Sequence, residues 1–420
     1  MSAHDRTCVV VGAGHAAVAL AAALRQGGWT GPIRLIGEEG GLPYERPPLS
    51  KSFLAGEKAP DAFPLRPASF FATHDIELIA ARAARLDRDA CVVELEDGEE
   101  VAYDRLALAT GARPVPLAVP GADLAGVHLL RSLADVEAIR ADLALTGDGA
   151  PVVMVGGGYV GLEAAASLRG LGHDVTVLEA ADRVLARVTS PPVSAFFTRL
   201  HHEEGVRVET GVEVVGLESD GGGRAARVRT ADGGSHQADL VIVGIGVRAC
   251  AGLAEDAGLE VDRGVVVDAG CRTSDPAVVA LGDCARVRPD DGGPAVCLES
   301  VPNAREQARA AAATLLGLPR PPVAVPWFWS DQYDLTLQTA GDVTGHGEIV
   351  LRGDPGSGRS FAAFHLDDGR LVGADCVARP REFMMTRKLL AAGTSPDPAL
   401  LADESVEVPE IMARLLTARR

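Results

Sequence analysis

The sequence has few aromatic residues and no cysteines at redox or metal-binding spacing. Aromatic residues make up 4% of the 420 positions, and the seven cysteines include no Cys-x-x-Cys pair. Structural zinc and iron-sulfur centres need clustered thiolates, so we expect no metal centre in this chain. The scattered thiols, most of them flanked by apolar residues, are interpreted as core residues.

Long apolar runs and an excess of positive charge are also missing. No apolar stretch reaches the ~20 residues of a membrane helix, and the polar start gives no sign of a secretory leader. The formal net charge of -18 disfavours nucleic acid or an anionic membrane as the main partner, because both demand positive charge. We expect a cytoplasmic protein of about three domains.

A first dinucleotide fingerprint stands at the beginning of the sequence. A Val-rich strand leads into Gly12-Ala-Gly14-His15-Ala16-Ala17, then a helical run to about Gln26 and a second strand that ends at Glu38. The glycines permit a tight turn and close approach to a pyrophosphate, which the helix N-terminus attracts. Glu38 follows Gly12 by 26 positions and is predicted to bind ribose hydroxyls. We name residues 12–17 the first glycine turn.

The same pattern recurs in full at residues 152–179. A strand leads into Gly156-Gly-Gly158-Tyr159-Val-Gly161-Leu-Glu163, followed by a helix to about Leu171 and a strand that ends at Glu179. Two such units predict two bound dinucleotides. A carboxylate at Glu179 accepts from the adenosine 2′-hydroxyl and repels a 2′-phosphate, which favours NADH, although Arg183 and Arg187 lie close enough in sequence to pair with a phosphate. We name residues 156–161 the second glycine turn.

Two later strands end in residues typical of flavin contacts. One stops at Thr110-Gly111 and the other at Gly282-Asp283. Close backbone approach and a carboxylate suit the ribitol hydroxyls of a flavin, while an ordinary strand-ending turn would give the same residues. In this order, the motifs resemble the FAD-dependent pyridine nucleotide-disulfide oxidoreductase superfamily over essentially the whole chain.

That resemblance implies an α/β fold with two Rossmann-like dinucleotide-binding domains, glutathione reductase-like, plus a smaller α+β C-terminal domain. The implied boundaries are 1–113 and 244–321 for a discontinuous FAD-binding domain, 114–243 for the NAD-binding domain and 322–420 for the C-terminal domain.

Residues 42–51, Leu-Pro-Tyr-Glu-Arg-Pro-Pro-Leu-Ser-Lys, are the most specific segment. Disulfide reductases carry a redox cysteine in this neighbourhood, but no cysteine lies between Cys8 and Cys91 here, so electrons must leave directly from the flavin. The string resembles oxygenase-coupled ferredoxin reductases and also apoptosis-inducing factor. The adjacent prolines make a rigid loop. The resemblance implies that Lys51 lies near the flavin and pairs with Glu163 as the catalytic pair.

The remaining site residues are implied by the same resemblance. Those expected at FAD are Gly12, Gly14, His15, Ala16, Glu38, Arg46, Lys51, Ala83, Thr110, Gly111, Arg131, Asp283, Val301 and Trp329. Those expected at the nicotinamide cofactor are Gly156, Gly158, Tyr159, Gly161, Glu179, Arg187 and Gly246.

The C-terminal third follows a Pro-rich linker at 317–322 and begins with the aromatic cluster Trp327-Phe328-Trp329. Such a cluster is typical of a small core, and the resemblance places Trp329 near the flavin. A ferredoxin of this class is acidic, so docking would need local positive charge. The candidates are Arg305, Arg309, Arg379, Arg381, Arg387 and Lys388.

Together with the two fingerprints, the resemblance implies an enzyme, an FAD-dependent NADH:ferredoxin oxidoreductase. Its partner would be a [2Fe-2S] ferredoxin that supplies a cytochrome P450 or a ring-hydroxylating dioxygenase. Two alternatives stay open on the sequence: a rubredoxin reductase, and a redox-responsive binding protein like apoptosis-inducing factor.

Overall fold

The computed structural model describes residues 5–147, 149–290, 292–345 and 347–417. Within these ranges the chain forms two compact units. Unit 1 comprises residues up to 46, 59–113 and 247–324, and unit 2 comprises residues 47–58, 114–246 and 325–420.

The helices and strands are numbered in chain order. The helices are α1 (His15–Gln26), α2 (Ala68–Thr73), α3 (Leu133–Thr146), α4 (Tyr159–Gly170), α5 (Pro191–Glu203), α6 (Gly252–Asp256), α7 (Val301–Leu316), α8 (Pro380–Ala391), α9 (Pro398–Ala402) and α10 (Val408–Thr417). The strands of the first half are β1 (Cys8–Val11), β2 (Ile33–Ile36), β3 (Ile76–Ile79), β4 (Ala83–Asp87), β5 (Val92–Leu95), β6 (Glu100–Ala102), β7 (Arg105–Leu108), β8 (Ala112–Pro114), β9 (Val127–Leu129), β10 (Pro151–Val155), β11 (Asp174–Glu179) and β12 (Arg207–Thr210). Those of the second half are β13 (Val214–Ser219), β14 (Ala225–Thr230), β15 (Ser235–Gln237), β16 (Leu240–Val243), β17 (Val247–Ala249), β18 (Val265–Val267), β19 (Val278–Ala280), β20 (Ala285–Val287), β21 (Trp327–Gln332), β22 (Leu335–Gly341), β23 (Glu348–Arg352), β24 (Phe361–Asp367) and β25 (Arg370–Val377).

Unit 1 is built on a five-stranded parallel sheet in the order β19-β7-β1-β2-β3. Helices α1 and α7 pack against one face, where apolar residues of β1, β2 and both helices form a continuous core. Strand β1 is buried along its whole length, which explains its unbroken apolar sequence, since a parallel strand covered on both faces has no solvent side. The antiparallel sheet β4-β5-β6 contributes to the core on the other face.

Unit 2 contains a second five-stranded parallel sheet, in the order β12-β11-β10-β16-β9. The small antiparallel sheet β13-β14-β15 packs on it through a shared apolar core. The same unit includes an antiparallel sheet, β21-β22-β25-β24-β23, whose core is closed by residues of α8, α9 and α10. The α/β class with two Rossmann-like units and a smaller α+β part is therefore confirmed.

The predicted helix boundaries agree closely with the structure. Helix α1 ends at Gln26, as expected, and α4 ends at Gly170, one residue before the expected Leu171. Helix α7 ends at Leu316, and Gly317 caps it in the left-handed conformation at the start of the expected linker. No helix in the described ranges is both long enough and apolar enough to cross a membrane.

Candidate functional site

The first glycine turn joins β1 to α1 at the carboxyl edge of the unit 1 sheet. Gly12 has φ +118°, and a Cβ there would lie 2.2 Å from the carbonyl oxygen of Ala109, so only glycine fits. Gly14 is the N-cap of α1, and a Cβ built on it meets no heavy atom within 4 Å. No side chain caps this helix and no acid lies in its first turn, so no carboxylate of that turn neutralises the positive end of its dipole.

The Gly282-Asp283 turn lies beside the start of the same helix. A Cβ on Gly282 would lie 3.0 Å from the Cβ of Ala16, and the Gly282 backbone N donates to Gln307 Oε1 at 2.6 Å. Asp283 belongs to a short 3-10 turn, Gly282–Cys284, after β19. The structure thus brings the Gly-Asp segment and the first glycine turn to one edge of the sheet, as predicted for a shared ligand.

Glu38 is held by two arginines and lies two residues beyond the end of β2, which stops at Ile36 rather than at Glu38 as predicted. Arg113 Nη2 lies 2.9 Å from Glu38 Oε2, and Arg82 Nε lies 3.7 Å from the same oxygen. The carboxylate is half-exposed. Its predicted role with ribose hydroxyls is compatible with this position and stays a prediction.

The other residues predicted for unit 1 are distributed around the sheet. Thr110 Oγ1 donates to the carbonyl oxygen of Cys250 at 2.6 Å. The next residue, Gly111, has φ +67°. Arg46 donates to the Tyr44 hydroxyl at 2.7 Å and also pairs with Glu39. The remaining three lie at element starts: His15 begins α1, Ala83 begins β4 and Val301 begins α7.

The second glycine turn repeats this construction in unit 2. Gly156 has φ +107°, and a Cβ there would lie 2.5 Å from the carbonyl oxygen of Gly244. A Cβ on Gly161 would lie 2.3 Å from the carbonyl oxygen of Gly156, so this glycine allows α4 to pack tightly against the turn. Gly158 is the N-cap of α4 and, like Gly14, has no heavy atom within 4 Å of its Cβ position.

Glu179 folds back onto the second glycine turn. Its Oε2 accepts from the backbone N of Gly157 at 2.6 Å, and its Oε1 accepts from the backbone N of Ala181 at 2.8 Å. These two bonds fix the carboxylate at the end of β11. An acid that hydrogen-bonds the ribose hydroxyls of the adenosine is expected at this position.

The two arginines considered as phosphate ligands differ in their surroundings. Arg183 donates to the carbonyl oxygens of Thr189 and Ala186 and to Ser194 Oγ, at 2.6–2.9 Å. These bonds hold its guanidinium within its own loop. Arg187 instead lies against Gly246, whose Cβ position is 3.3 Å from Arg187 Nη2. Unit 2 therefore brings the predicted Arg187 and Gly246 together.

Lys51 and Glu163 form an ion pair within unit 2. Lys51 Nζ lies 2.6 Å from Glu163 Oε2, with side-chain exposures of 22% and 6%. Pro47–Ser50 form a 3-10 turn that places Lys51 there, and Ser50 Oγ donates to the same Oε2 at 2.6 Å. The expected pair is thus formed, while its location beside a flavin stays a prediction.

Comparison with known proteins identifies the family. Residues 6–308 match the model of the pyridine nucleotide-disulphide oxidoreductases, and residues 327–412 match that of the reductase C-terminal domain. The chain belongs to the pyridine nucleotide-disulphide oxidoreductase family. It is therefore an FAD-dependent oxidoreductase, with FAD and NAD(H) as cofactors.

Similar proteins match this family member over nearly its full length. A probable ferredoxin reductase of Castellaniella defragrans is 44% identical over 410 residues, which are 97% of this chain and 99% of that protein. Putidaredoxin reductase of Pseudomonas putida is 42% identical over 418 residues, 98% of each chain. The solved covalent complex of putidaredoxin reductase with putidaredoxin matches with a TM-score of 0.93, covering 98% of this chain and 99% of that one.

The two glycine turns of this oxidoreductase suit its two dinucleotides. Each turn ends at an uncapped helix N-terminus whose N-cap glycine faces open space. Orphan N–H groups and the positive end of a helix dipole bind phosphate, and a glycine without a Cβ lets the pyrophosphate come close. The residues present therefore fit both cofactors.

Three further residues predicted to bind cofactor lie in unit 2. The Tyr159 ring, at the start of α4, stacks on Phe328 with 4.5 Å between centroids, and burial raises the pKa of the Tyr159 hydroxyl. Trp329 is half-buried beside Phe328, with 6.3 Å between ring centroids. Arg131 precedes the capping box of α3, and its backbone N donates to Asp135 at 3.0 Å. The flavin roles of Trp329 and Arg131 stay predictions.

Sequence reasoning missed two serines that complete the surroundings of Glu163. Ser50 Oγ donates to Oε2, and Ser330 Oγ donates to Oε1 at 2.7 Å. Ser50 had a signal, because it precedes Lys51 in the specific segment. Ser330 follows Trp329 in β21, and the alternation of a strand directs these neighbours to opposite faces, but nothing in the sequence indicates that Ser330 meets Glu163.

Proposed function

We propose that this chain is a cytoplasmic NADH:ferredoxin reductase that passes electrons from NADH to a [2Fe-2S] ferredoxin serving a cytochrome P450 or a ring-hydroxylating dioxygenase. The relatives support this proposal, because they are named as ferredoxin reductases and one of them was solved bound to its ferredoxin-type partner.

One observation carries the proposal: the segment that contains Lys51 has no cysteine, although disulfide reductases carry a redox thiol in the corresponding neighbourhood. No cysteine occurs between Cys8 and Cys91, and none of the seven cysteines forms a disulfide. Cys8 is fully buried, and burial raises its thiol pKa to about 12, so it is not poised as a thiolate. Electrons must therefore leave the flavin directly for an external acceptor.

We propose the domain and site assignments on the same basis. Residues 1–113 and 244–321 bind FAD, residues 114–243 bind NADH, and residues 322–420 form the C-terminal domain. The first glycine turn with Gly282-Asp283 would hold FAD, and the second glycine turn with Glu179, Arg187 and Gly246 would hold NADH.

The chemistry divides between cofactor and protein. Bound FAD would take a hydride from NADH and release single electrons, which links a two-electron donor to a one-electron acceptor. The two glycine turns bind the pyrophosphates, and Glu179 orients the adenosine half of NADH. Lys51 supplies a positive charge, which Glu163 and Ser50 hold in one position.

Ferredoxin docking would use the basic residues that extend into solvent. Arg305 and Arg309 are exposed on α7, and Arg381 and Lys388 are exposed on α8. Arg309 and Arg381 also pair with Glu306 and Glu407, but both arginine side chains are largely exposed to solvent. The two other candidates are committed to internal contacts. Arg379 bonds Glu382 and Glu404, and the guanidinium of Arg387 lies over the Trp327 and Phe383 rings. We therefore propose the first four as the docking cations, and expect charge reversal there to weaken ferredoxin turnover at low salt.

The test is NADH-driven cytochrome c reduction with no carrier, with a [2Fe-2S] ferredoxin, or with rubredoxin. We expect strong stimulation by the ferredoxin and faster turnover with NADH than with NADPH. Stimulation by rubredoxin alone would assign the chain to the rubredoxin reductases. Slow flavin reduction by NADH, together with a change in mass by light scattering, would favour a redox-responsive binding protein.

The role of Lys51 is tested by substituting it and, as a control, substituting a second lysine of the same segment. Lys51→Gln should slow flavin reduction by NADH at least ~10-fold, since it removes a charge-assisted contact worth about 1.5–3 kcal/mol. Lys58→Gln alters an exposed lysine of the same short segment and should leave the rate unchanged. Equal rates of flavin reduction in the two variants would show that Lys51 has no role in the proposed site.

A further inference from the structure

A buried chain of hydrogen bonds runs from Glu163 through the interior of unit 2. Ser330 Oγ lies 2.7 Å from Glu163 Oε1, and Gln332 Nε2 lies 3.3 Å from Ser330 Oγ. Gln332 Oε1 lies 2.9 Å from His201 Nε2, and Tyr333 Oη lies 2.9 Å from His201 Nδ1. We name these five residues, in this order, the Glu163 chain.

The chain is almost completely closed to water. Glu163 is 5% exposed, Ser330 and Gln332 are each 1% exposed, and His201 is fully buried. Tyr333, at the far end, is half-buried. A buried polar group costs free energy unless it is hydrogen-bonded, so Ser330, Gln332 and His201 each depend on both of their neighbours in the chain. Three elements contribute: α4 carries Glu163, β21 carries Ser330 and Gln332, and α5 carries His201.

The charge of Glu163 fixes the direction of every bond. A carboxylate only accepts, so Ser330 must donate to it and accept from the Gln332 amide N–H. The Gln332 carbonyl then faces His201, whose Nε2 must carry the proton. Burial lowers the pKa of His201 to about 4, so the ring is neutral and Nδ1 accepts from Tyr333. All four donors thus point towards Glu163.

The backbone of Tyr333 supports this reading. Tyr333 follows the last residue of β21 in the two-residue connection to β22 and has φ +56°, a left-handed conformation that is costly without glycine. Burial raises the pKa of its hydroxyl, which therefore keeps the proton it donates. The strained turn brings the Tyr333 hydroxyl to His201.

We propose that Ser330, Gln332, His201 and Tyr333 are positioning residues that orient the Glu163 carboxylate, and through it the Lys51 ammonium, for the reductase reaction. This inference rests on the proposed function of the Lys51–Glu163 pair. None of the four needs to touch a cofactor. Their effect passes along aligned hydrogen bonds that stabilise the charge on Glu163.

The first test uses ¹⁵N NMR of the oxidised holoprotein with labelled histidine. It determines which nitrogen of His201 carries the proton, and therefore in which direction the hydrogen bonds of the Glu163 chain point. The sequence has 10 histidines, and the His201→Gln spectrum identifies the resonances of His201 by their loss. The wild type should show a protonated Nε2 and an unprotonated Nδ1. The opposite tautomer would overturn the proposal.

Glu163→Gln should reverse the whole chain. Lys51 can only donate, so the new amide must turn its oxygen to Lys51 and its NH₂ to Ser330. Ser330 must then donate to Gln332, the Gln332 amide flips, and the proton of His201 moves to Nδ1. An unchanged tautomer in this variant would show that the residues are not coupled, and would also overturn the proposal.

The second test measures flavin reduction by NADH in a stopped-flow instrument. His201→Leu removes the donor to Gln332 and should slow the rate at saturating NADH by roughly two- to tenfold, with the KM for NADH within about twofold of wild type. His201→Gln keeps a donor near the Nε2 position and should restore the rate. His202→Leu, on the exposed side of α5, is the matched control and should behave as wild type.

The outcomes separate the two proposals. A wild-type protein whose flavin is not reduced by NADH would refute the proposed function, whereas the NMR result on the chain's direction would still stand. A His201→Leu rate equal to wild type, or an equal loss in His201→Gln, would refute the positioning role. Thermal midpoints of all variants show whether a lost rate reflects unfolding.

Discussion

Gly158→Ala is expected to damage NADH binding without damaging the fold. Gly158 has φ −79° and ψ −179°, which alanine adopts readily, and its Cβ would meet no protein atom within 4 Å. An alanine N-cap typically costs about 1 kcal/mol or less relative to glycine. The new methyl group would occupy the space through which a pyrophosphate approaches the N–H groups of α4.

The magnitude follows from the contacts that the methyl group blocks. A hydrogen bond to a charged oxygen contributes about 1.5–3 kcal/mol, and loss of one weakens binding about 10- to 150-fold at 1.4 kcal/mol per tenfold. The Kd for NADH, measured by fluorescence titration, should rise by that factor, while the thermal midpoint changes by no more than about 3 °C. Flavin content should stay at the wild-type value.

Two matched substitutions separate ligand effects from folding effects. Gly14→Ala, at the equivalent N-cap of α1, should lower the FAD content of the purified protein and leave the second glycine turn intact. Gly156→Ala should destabilise the fold itself, because its Cβ would lie 2.5 Å from the Gly244 carbonyl oxygen at φ +107°. Unchanged NADH affinity in Gly158→Ala would refute the placement of a pyrophosphate at α4, and a loss of FAD in that variant would mean that the two turns are wrongly assigned.

Two further predictions concern buried or half-buried carboxylates. Glu179→Ala should reduce the preference for NADH over NADPH, measured as the ratio of the two kcat/KM values, because it removes the group that repels a 2′-phosphate; an unchanged ratio would move that role elsewhere. Burial opposes ionisation of Asp142, but hydrogen bonds from Arg224 and His128 outweigh it, so the pKa of Asp142 lies below its ordinary value of 3.8. The unfolded state then binds more protons, so this stabilisation is present at neutral pH and is lost as the pH falls below about 4. Asp142→Asn should lower the thermal midpoint at pH 7 and approach wild type near pH 3, whereas the exposed Asp123→Asn should have no effect at either pH; a pH-independent loss would contradict the ionic explanation.

Local sequence patterns predicted the structural features that are determined by residues close together in the chain. The two glycine turns, the helices that follow them and the acid at the end of β11 stand where spacing placed them, whereas Glu38 lies two residues beyond the end of β2. Pairing of Lys51 with Glu163 could also be expected, but only because the Pro-rich segment is specific enough to carry a resemblance. Lys51 and Glu163 are 112 positions apart, so no local sequence pattern could indicate that they are in contact.

The rest of the candidate site depends on tertiary packing. His201 and Gln332 are 131 positions apart, and each alone would be interpreted as an ordinary helix or strand residue. Arg183 shows the opposite case, because its place after Glu179 suggested a phosphate ligand, whereas the folded loop directs its donors to its own carbonyls. Which donor meets which acceptor is decided by loop geometry that the residue types do not specify.

The two glycine turns share one sequence pattern but hold their acids differently, because the acids differ by one position in strand register. Strand β1 pairs Val11 with Ile36 and β10 pairs Val155 with Leu178, so the counterpart of Glu179 is Gly37, and Glu38 stands one residue later. In the second turn, a Cβ at Gly157 would lie 3.2 Å from Glu179 Oε2, so the glycine lets the carboxylate close onto the Gly157 N–H. The first turn has Ala13 at this position, and its methyl group packs where Gly37 has no side chain. Glu38 instead turns to arginine partners and stays half-exposed. A carboxylate fixed by two backbone N–H groups cannot move aside for a phosphate, which makes the second turn the more discriminating of the two sites.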